Sequence, residues 1–418
     1  LEIAAGTFDA NGDFNANGAN VTFTGTGILK LGGNDGTTPD LGTLDATTND
    51  GTVEYDFNGN QGVFDATYHH LEIDNNTGTA TAGSALGVEG NLTVTTGNLT
   101  LNNIALTLGG NFVLTSGTFV PGNADHTVSG DWTETGGTTF EATAGKFTFN
   151  GAPSTITTDA AGGNKFFNLF INPGGGNTVN AGSELDIDGE LQVTDGTLAM
   201  AGNSADVAGI TDIDGTLSLN DGTFSANGTT QIDAAAGVSI TSGTFSANGN
   251  LDSDGSISFS GAVLGILNVK EATPSISTFN KGTNSIVRFI KTNSNQTIPD
   301  VSYHSLEIVG SSVATKVPIG GLIVGGDLTI TSSILRMTNG NIDLEGDFLI
   351  STNGTFDPVN NSHDIAGNWN DVDGTFQATA GTITMSGGAT KTIKTGINNK
   401  FNNLTIDGTI ETFSDNDI

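Results

Sequence analysis

The chain has 418 residues, of which 61 are Gly, none is Cys and only 35% are hydrophobic. Lys and Arg total 12 against 45 Asp and Glu, which gives a formal net charge of -33. This balance excludes phosphate recognition through clustered cations, so we expect no nucleic-acid partner. The lack of Cys excludes disulfides and thiol chemistry.

Low hydrophobicity with high net charge predicts disorder when composition is considered alone. The order of the residues predicts the opposite, because the chain repeats itself. Four related segments share a Leu, and the intervals between these Leu residues are 98, 137 and 98, at Leu71, Leu169, Leu306 and Leu404. Two unit types therefore alternate in a super-repeat of about 235 residues, the interval from Leu71 to Leu306. We expect one continuous body over 1–418 with internal units 1–70 (partial), 71–168, 169–305, 306–403 and 404–418 (partial).

A shorter period lies inside the units and is carried by a Gly–Asx motif, which is Gly followed by Asp or Asn and then an apolar residue. The motif occurs at Gly90, Gly110 and Gly130, at a constant spacing of 20. In the later copy it occurs at Gly326, Gly346 and Gly367, at spacings of 20 and 21. Internal repeats of this length are typical of solenoids.

The sequence within each of these short periods indicates β-structure. Apolar residues alternate with Thr in segments such as Leu92-Thr93-Val94 and Leu328-Thr329-Ile330, which is the two-residue period of a half-buried strand. Gly-containing pairs separate the short segments and supply turns. No stretch shows a helical period.

The fold class predicted from these observations is all-β, an elongated β-solenoid (parallel β-helix) with about 20 residues per coil and about 21 coils. Like residues of successive coils then form inward stacks. We expect such stacks from the Leu or Phe of the Gly–Asx motif and from the Phe of recurring Gly-Thr-Phe triplets, at Phe8, Phe119, Phe224, Phe245, Phe356 and Phe376. The alternative is a string of immunoglobulin-like sandwiches, since the interval of 98 also suits one such domain. A sandwich, however, has no reason to show the shorter period.

The Asx residues of the motif are expected to form one column along a corner of the solenoid, at Asp13, Asn91, Asn111, Asp131, Asn250, Asp327, Asp347 and Asn368. Asp and Asn cap turns through nearby backbone, which is the ordinary interpretation. The alternative is a calcium ladder at Asp13, Asp131, Asp327 and Asp347, because stacked carboxylates repel unless a cation lies between them. Our principal expectation is no cofactor.

Other polar residues favour packing over chemistry. His69 pairs with His304 and His126 with His363 across the copies, whereas Ser305 stands where His70 would recur, and no zinc-like ligand spacing surrounds them. A cationic cluster occurs at Lys281, Arg288 and Lys291, where the earlier copy has Glu54-Tyr55-Asp56. We attribute this reversal to surface drift, with mating between oppositely charged faces as the alternative.

The motifs resemble those of giant β-strand-repeat, adhesin-like surface proteins of Bacteroidota-type bacteria secreted by the type IX route. The tract from Gly130-Asp131-Trp132 through Phe140 and on to Ile171 carries the likeness, and Gly367-Asn368-Trp369 repeats it. Filamentous-haemagglutinin-type β-solenoids are a more distant resemblance. The resemblance implies a large extracellular or cell-surface protein and transfers no catalytic residue.

We therefore expect a non-enzymatic stalk or filament-forming segment, with an adhesin module that binds glycan or another cell surface as the alternative. Pectate-lyase-like enzymes also use β-helices, but their grooves combine carboxylates with Arg or Lys, and Arg occurs here only at Arg288 and Arg336. Expected partners are copies of the chain end to end or laterally, or the continuation of the same chain. The chain begins at Leu1 without Met, which we interpret as an excerpt of a longer precursor. Its longest apolar run, which ends at Leu267, is too short for membrane insertion.

Overall fold

The computed structural model describes residues 1–12, 14, 16, 18–33, 41–47, 50–140, 142–376 and 378–414, with the backbone alone for 411–414. Asp13 of the expected calcium ladder therefore lies outside the described residues. The chain divides into two compact units, Leu1–Leu217 and Ser218–Ile418, and each is described by itself.

The first unit is a β-solenoid whose paired strands are parallel. One 3-10 turn, Ala160–Gly162, interrupts the β-structure. The strands are Glu2–Ile3, Thr7–Ala10, Val21–Phe23, Ile28–Leu31, Leu44–Asp45, Thr52–Tyr55, Gln61–Val63, Thr67–Tyr68, His70–Ala82, Leu86–Val88, Leu92–Thr100, Leu106–Leu108, Phe112–Leu114, Thr118–Val120, Asp125–Val128, Trp132–Glu134, Thr139–Phe140, Lys146–Phe149, Ser154–Thr157, Asn168–Ile171, Thr178–Ala181, Leu185–Ile187, Leu191–Val193, Thr197–Ala199, Ala205–Val207 and Thr211–Ile213.

The second unit is also a parallel β-solenoid. Its first strand, Thr216–Ala226, contains the boundary between the units. The other strands are Thr230–Ile232, Gly237–Ala247, Leu251–Phe259, Gly265–Val269, Ser275–Asn280, Ser285–Phe289, Gln296–Ile298, Ser302–Tyr303, Ser305–Val309, Thr315–Pro318, Leu322–Val324, Leu328–Thr331, Ile334–Arg336, Ile342–Leu344, Phe348–Ile350, Thr355–Asp357, Ser362–Ile365, Trp369–Asn370, Thr375–Phe376, Thr382–Met385, Thr390–Lys394, Leu404–Ile406 and Thr409–Ser414.

Each coil has three faces, which we name in each unit after a buried aromatic residue. In the first unit these are the Tyr face with Tyr68, the Trp face with Trp132 and the Phe face with Phe119. In the second unit Tyr303, Trp369 and Phe356 mark the corresponding faces. The chain passes from the Tyr face to the Trp face and then to the Phe face before the next coil begins.

Strand register gives the coil length directly. On the Trp face of the first unit, the steps between register partners are 21, 20, 20 and 24, from Leu71 through Leu92, Phe112 and Trp132 to Ile156. On that of the second unit the steps are 22, 20, 21 and 24, from Leu306 through Leu328, Phe348 and Trp369 to Ile393. The predicted solenoid with its short coil is confirmed, and parallel coil-on-coil pairing rules out the sandwich alternative, which would be antiparallel.

Inward residues of successive coils pack on one another, as the repeat predicts. Phe112 stacks on Trp132 with ring centroids 4.0 Å apart, and Phe348 stacks on Trp369 at 4.6 Å. Five of the six predicted triplet Phe residues are buried. Phe8 is the exception, since it is 40% exposed and contacts Phe14 at the surface. A thin interior filled by such columns explains why a low apolar content suffices.

The repeated Leu anchors do not lie on one face. Leu71 belongs to the Trp face, whereas Leu169 pairs with Phe147 and continues the Tyr face. In the second unit, Leu306 likewise begins on the Trp face and Leu404 pairs with Ile383 on the Tyr face. The interval of 98 therefore contains four coils and two-thirds of a fifth, so each repeat re-enters the solenoid one face out of phase.

Buried acid–amide networks lie where this phase change occurs. Glu134 accepts hydrogen bonds from Trp132 Nε1 at 2.6 Å and from Asn164 Nδ2 at 2.8 Å. Asn164 Oδ1 in turn accepts the backbone N–H of Phe140 at 3.0 Å. The segment that follows Ile156 has the 3-10 turn Ala160–Gly162 in place of a regular strand on the Phe face, and Asn164 of the network lies just beyond that turn.

The second unit repeats the network with a shorter acid. Asp371 accepts from Trp369 Nε1 at 3.0 Å and from the backbone N–H of Gly396, and Asn399 accepts the N–H of Phe376 at 3.0 Å. Among the described residues, neither unit contains a helix long and apolar enough to span a membrane.

Candidate functional site: the Gly–Asx corner and its groove

The Gly–Asx motif forms the tight corner between the Tyr face and the Trp face, at 325–327, 345–347 and 366–368 in the second unit. Its glycines lie so close that the N–H of Gly346 donates to the carbonyl of Gly326 at 3.1 Å. A Cβ on Gly346 would meet that carbonyl at 2.4 Å, which no real side chain tolerates. Glycine is thus required by the close approach of consecutive coils.

The Asx side chains connect each coil to the next through its backbone. Asp327 Oδ1 accepts the N–H of Asp347 at 2.9 Å, Asp347 Oδ1 accepts that of Asn368 at 2.8 Å, and Asn368 Oδ1 accepts that of Thr392 at 2.9 Å. The oxygen satisfies a donor that the bend removes from the strand ladder. Asp and Asn serve equally, since either supplies the oxygen.

The first unit has the same ladder at 89–91, 109–111 and 129–131. Asn91 Oδ1 accepts the N–H of Asn111 at 3.0 Å, Asn111 Oδ1 accepts that of Asp131 at 2.8 Å, and Asp131 Oδ1 accepts that of Thr155 at 2.7 Å. At its start, His70 Nδ1 accepts the N–H of Asn91 at 2.9 Å. Burial lowers the pKa of His70, with a smaller contribution from His69.

His70 thereby has a counterpart in the second unit that the sequence comparison did not show. Ser305 Oγ accepts the N–H of Asp327 at 3.3 Å and so begins the second ladder in the same way. Two chemically different side chains perform one structural task.

The expectation of a single column of Asx residues is wrong. In the second unit Asn250 lies between the strands Gly237–Ala247 and Leu251–Phe259, on the corner after the Trp face, whereas Asp327 lies before the Trp face. In the first unit the ladder passes to another corner, where Asn168 Oδ1 accepts the N–H of Glu190 at 2.8 Å. The cause is the phase change of one face described above.

An open groove of about 360 Å³ runs beside the ladder of the second unit. The outward side chains of the Trp face form its floor, and Lys394 brings a cation to it. The lining residues are Asp327, Thr329, Asp347, Phe348, Leu349, Asn368, Trp369, Asn370, Thr392 and Lys394. A smaller depression of about 260 Å³ lies at the equivalent corner of the first unit, lined by Thr52, His70, Leu71, Glu72, Asn91 and Thr93.

Of the three predicted calcium ligands that the structure describes, the ladder brings only two together. Asp327 and Asp347 are consecutive, but the neighbours of Asp131 in its ladder are Asn111 and Thr155. Each of these Asp residues already uses one oxygen to hold a backbone N–H. Calcium takes six to eight oxygen ligands, and this donor set supplies few of them, so calcium at these residues stays a prediction that the geometry does not favour.

His126 and His363 are packing residues, whereas His69 is partly exposed and its Nε2 lies 3.0 Å from Asp50 Oδ1. His126 and His363 are each 1% exposed, and their Nδ1 atoms accept the backbone N–H of Leu106 at 3.1 Å and of Ile342 at 3.0 Å. Burial lowers the pKa of each imidazole to about 4, so both rings are neutral at pH 7. Each ring uses Nδ1 as an acceptor within its own unit.

The charge reversal between the copies has a local explanation. Arg288 pairs with Glu307 of the next coil at 2.6 Å. At the equivalent place in the first unit, Glu54 instead pairs with Lys30 of the previous coil at 2.5 Å. Arg288 and Lys30 are therefore each paired with an acid of an adjacent coil of their own unit, and neither Arg288 nor Arg336 lines the groove. Arg336 pairs with Asp357 at 2.8 Å.

The buried acids were missed by sequence reasoning, although a signal existed. Trp132 and Glu134 recur as Trp369 and Asp371 at the same spacing. Burial raises the pKa of Glu134 and of Asp371, and hydrogen bonds to the carboxylates partly oppose the effect. Their partners are structural groups of the same coil or the next one.

Comparison with known proteins gives no match, whether to a protein-family model, to a curated protein sequence or to a solved structure.

Proposed function

We propose that this chain is a non-enzymatic structural segment, a stalk or filament-forming part of a large secreted bacterial surface protein, located outside the cell. The observation that carries the proposal is the coil-on-coil ladder, in which backbone and side-chain hydrogen bonds join each turn to the next. Such stacking lets a chain gain length at constant cross-section, coil by coil.

The surface chemistry supports the same proposal. Outward strand positions carry Thr, Asn, Asp and Glu, and the net charge of -33 opposes clumping through self-repulsion. The expected partners are copies of the chain end to end or laterally, or the continuation of the same chain.

Electron microscopy of the native material, with antibodies against this chain, tests the proposal. We expect label on stalks or fibres outside the cell, and removal of the label when intact cells are treated with protease. Label confined to the cell interior would contradict it.

The groove of the second unit favours an adhesin that binds glycan as the second function. Its Asp, Asn and Thr side chains can hydrogen-bond sugar hydroxyls, and Leu349 offers an apolar contact. A glycan array with the whole chain should then show ligands that Asn370→Leu and Lys394→Glu lose, while Thr93→Leu at the first unit's depression keeps them. An array that shows no such ligands would argue against the adhesin function, and the structural function would then be the remaining proposal.

A further inference from the structure

Two equivalent glutamines, one in each unit, are satisfied differently. Gln61 and Gln296 each begin a strand of the Phe face. Each side chain reaches back to the previous coil, where Gln61 Nε2 donates to the carbonyl of Leu31 at 2.6 Å and Gln296 Nε2 to that of Val269 at 2.9 Å. The amide nitrogens thus share one equivalent acceptor, and Gln296 Nε2 donates in addition to the carbonyl of Glu271 at 2.7 Å.

The amide oxygens of the two glutamines do not have matching partners. In the second unit the register partner of Gln296 is Lys316, whose side chain is wholly buried. Its ammonium donates to Gln296 Oε1 at 2.8 Å and to the carbonyl of Lys291. Burial lowers the pKa of Lys316 to about 8, and Lys291 adds to the effect, so the group still carries its proton for most of the time at pH 7.

In the first unit the register partner of Gln61 is Ala80, which is also wholly buried. Gln61 is 4% exposed, and among the residues that the structure describes its buried Oε1 has no hydrogen-bond partner. Within the same described residues, Asp56 Oδ1 is a second buried acceptor without a partner. The two residues are close in the fold, because the backbone N–H of Asp56 and Gln61 Nε2 approach the same carbonyl, that of Leu31, at 3.4 and 2.6 Å.

The first unit therefore has the Oε1 of Gln61 where the second has Gln296 Oε1 bonded to a tethered ammonium, and Asp56 lies nearby. A buried acceptor without a donor is unfavourable, and a buried carboxylate is more so unless a positive charge compensates it. Burial raises the pKa of Asp56, while Lys30, whose Nζ lies 3.9 Å from its other oxygen, lowers it. The replacement of Lys by Ala removes both the charge and the side chain that carried it.

We propose that the first unit binds a small exogenous monovalent cation, ammonium or potassium, at Gln61 Oε1, in the place that the Lys316 ammonium takes in the second unit. Amide, carboxylate and carbonyl oxygens are the ligands such ions take from proteins. A divalent ion is less suitable, because one carboxylate leaves half of its charge uncompensated.

Urea unfolding of the whole chain, followed by the fluorescence of Trp132 in a Trp369→Phe background, tests the proposal. Trp132 is the only Trp of the first unit. Ammonium, potassium and tetramethylammonium chlorides are compared at equal ionic strength, because tetramethylammonium is too large and donates no hydrogen bond. At a concentration about tenfold above the dissociation constant, ammonium or potassium should lower the unfolding equilibrium constant roughly tenfold.

Three variants at the two equivalent positions, 80 and 316, provide the matched controls. Ala80→Lys supplies the ammonium from the chain and should abolish the response to added cation, whereas Ala80→Gly keeps the site open and should keep it. Lys316→Ala, read at Trp369 in a Trp132→Phe background, should acquire the response. Identical Trp132 transitions in all three salts would overturn the proposal, since a bound water would then satisfy Gln61.

Discussion

The buried histidines should make each unit acid-sensitive in a defined pH window. The pKa of His126 and of His363 is about 4 in the folded chain, against about 6.5 for an unfolded histidine. Because the folded pKa is the lower one, protons bind first to the unfolded chain. Above pH 6.5 the imidazoles make no pH-dependent contribution, and stability is lost as the pH falls from about 6.5 towards 4.

The magnitude follows from the shift of the pKa. One pKa unit corresponds to about 1.4 kcal/mol, so each histidine should cost its unit about 1.5 kcal/mol between pH 6.5 and 5, and about 3.5 kcal/mol in total. The raised pKa values of Glu134 and Asp371 act in the opposite sense, because protonation of these acids favours the folded state at lower pH. The pH dependence of the parent's unfolding free energy therefore combines the opposing contributions of the histidines and of these acids.

A comparison with variants separates the imidazole contribution. His126→Gln and His363→Gln do not titrate, and Gln retains an oxygen for the backbone N–H. Urea unfolding at several pH values, read at Trp132 or Trp369, gives the free energy for each unit. The advantage of the parent over each variant should shrink by about 1.5 kcal/mol between pH 6.5 and 5. Parallel pH profiles for parent and variant would refute the reasoning.

Three further changes test the corner and the buried acid by urea unfolding at pH 7. Gly346→Ala should cost about 2 kcal/mol or more, because the added Cβ would overlap the carbonyl of Gly326. Gly136→Ala has open space around it and should cost under about 1 kcal/mol. Equal costs would contradict the close approach of consecutive coils. Asp347→Asn should be near neutral and Asp347→Leu should cost about 1–2 kcal/mol, because only Asn retains the acceptor oxygen. We expect EDTA to leave the melting temperature unchanged for the parent and for Asp347→Asn. A lower melting temperature of the parent in EDTA would support the calcium hypothesis. Asp371→Asn should lower the free energy of unfolding by roughly 2 kcal/mol, because the new amide N–H would face the N–H of Trp369 or of Gly396. The exposed Asp373→Asn should change it little. Similar losses for both variants would contradict the network.

The sequence predicts the coil length well because the Gly–Asx corner repeats with it. Gly90, Gly110 and Gly130 are spaced as their coils are, since each glycine touches the one before. The same motif contains no information about which corner it occupies. That depends on the residues between one unit and the next, and for this reason the position of Asn250 was not predictable.

Buried polar groups were the other part that sequence reasoning missed. Alternation assigns Thr and charged residues to the outside, yet Glu134, Asp371 and Lys316 lie inside. Each is inside because a specific partner binds it there, an indole, a backbone N–H or an amide oxygen. Several of these partners belong to a neighbouring coil, and periodicity alone does not identify them. His126 and His363 lie in packed sites beside the rings of Phe147 and Phe356, which agrees with the aromatic neighbours in the sequence.

The phase offset of the repeat that begins at Leu71 has a consequence for how such chains can change length. Excision of 71–168 would put Leu169 and Ile171 in the places of Leu71 and Ile73, and the new junction would keep the buried residues of that strand. The part of the first unit beyond the junction would nevertheless turn by one face relative to the part before it. Because each coil has three faces, three such excisions would be needed before the faces beyond the junction point in their original directions again. Gain or loss of repeats in a chain of this design therefore redirects every surface beyond the edit, even when no residue of that surface is altered.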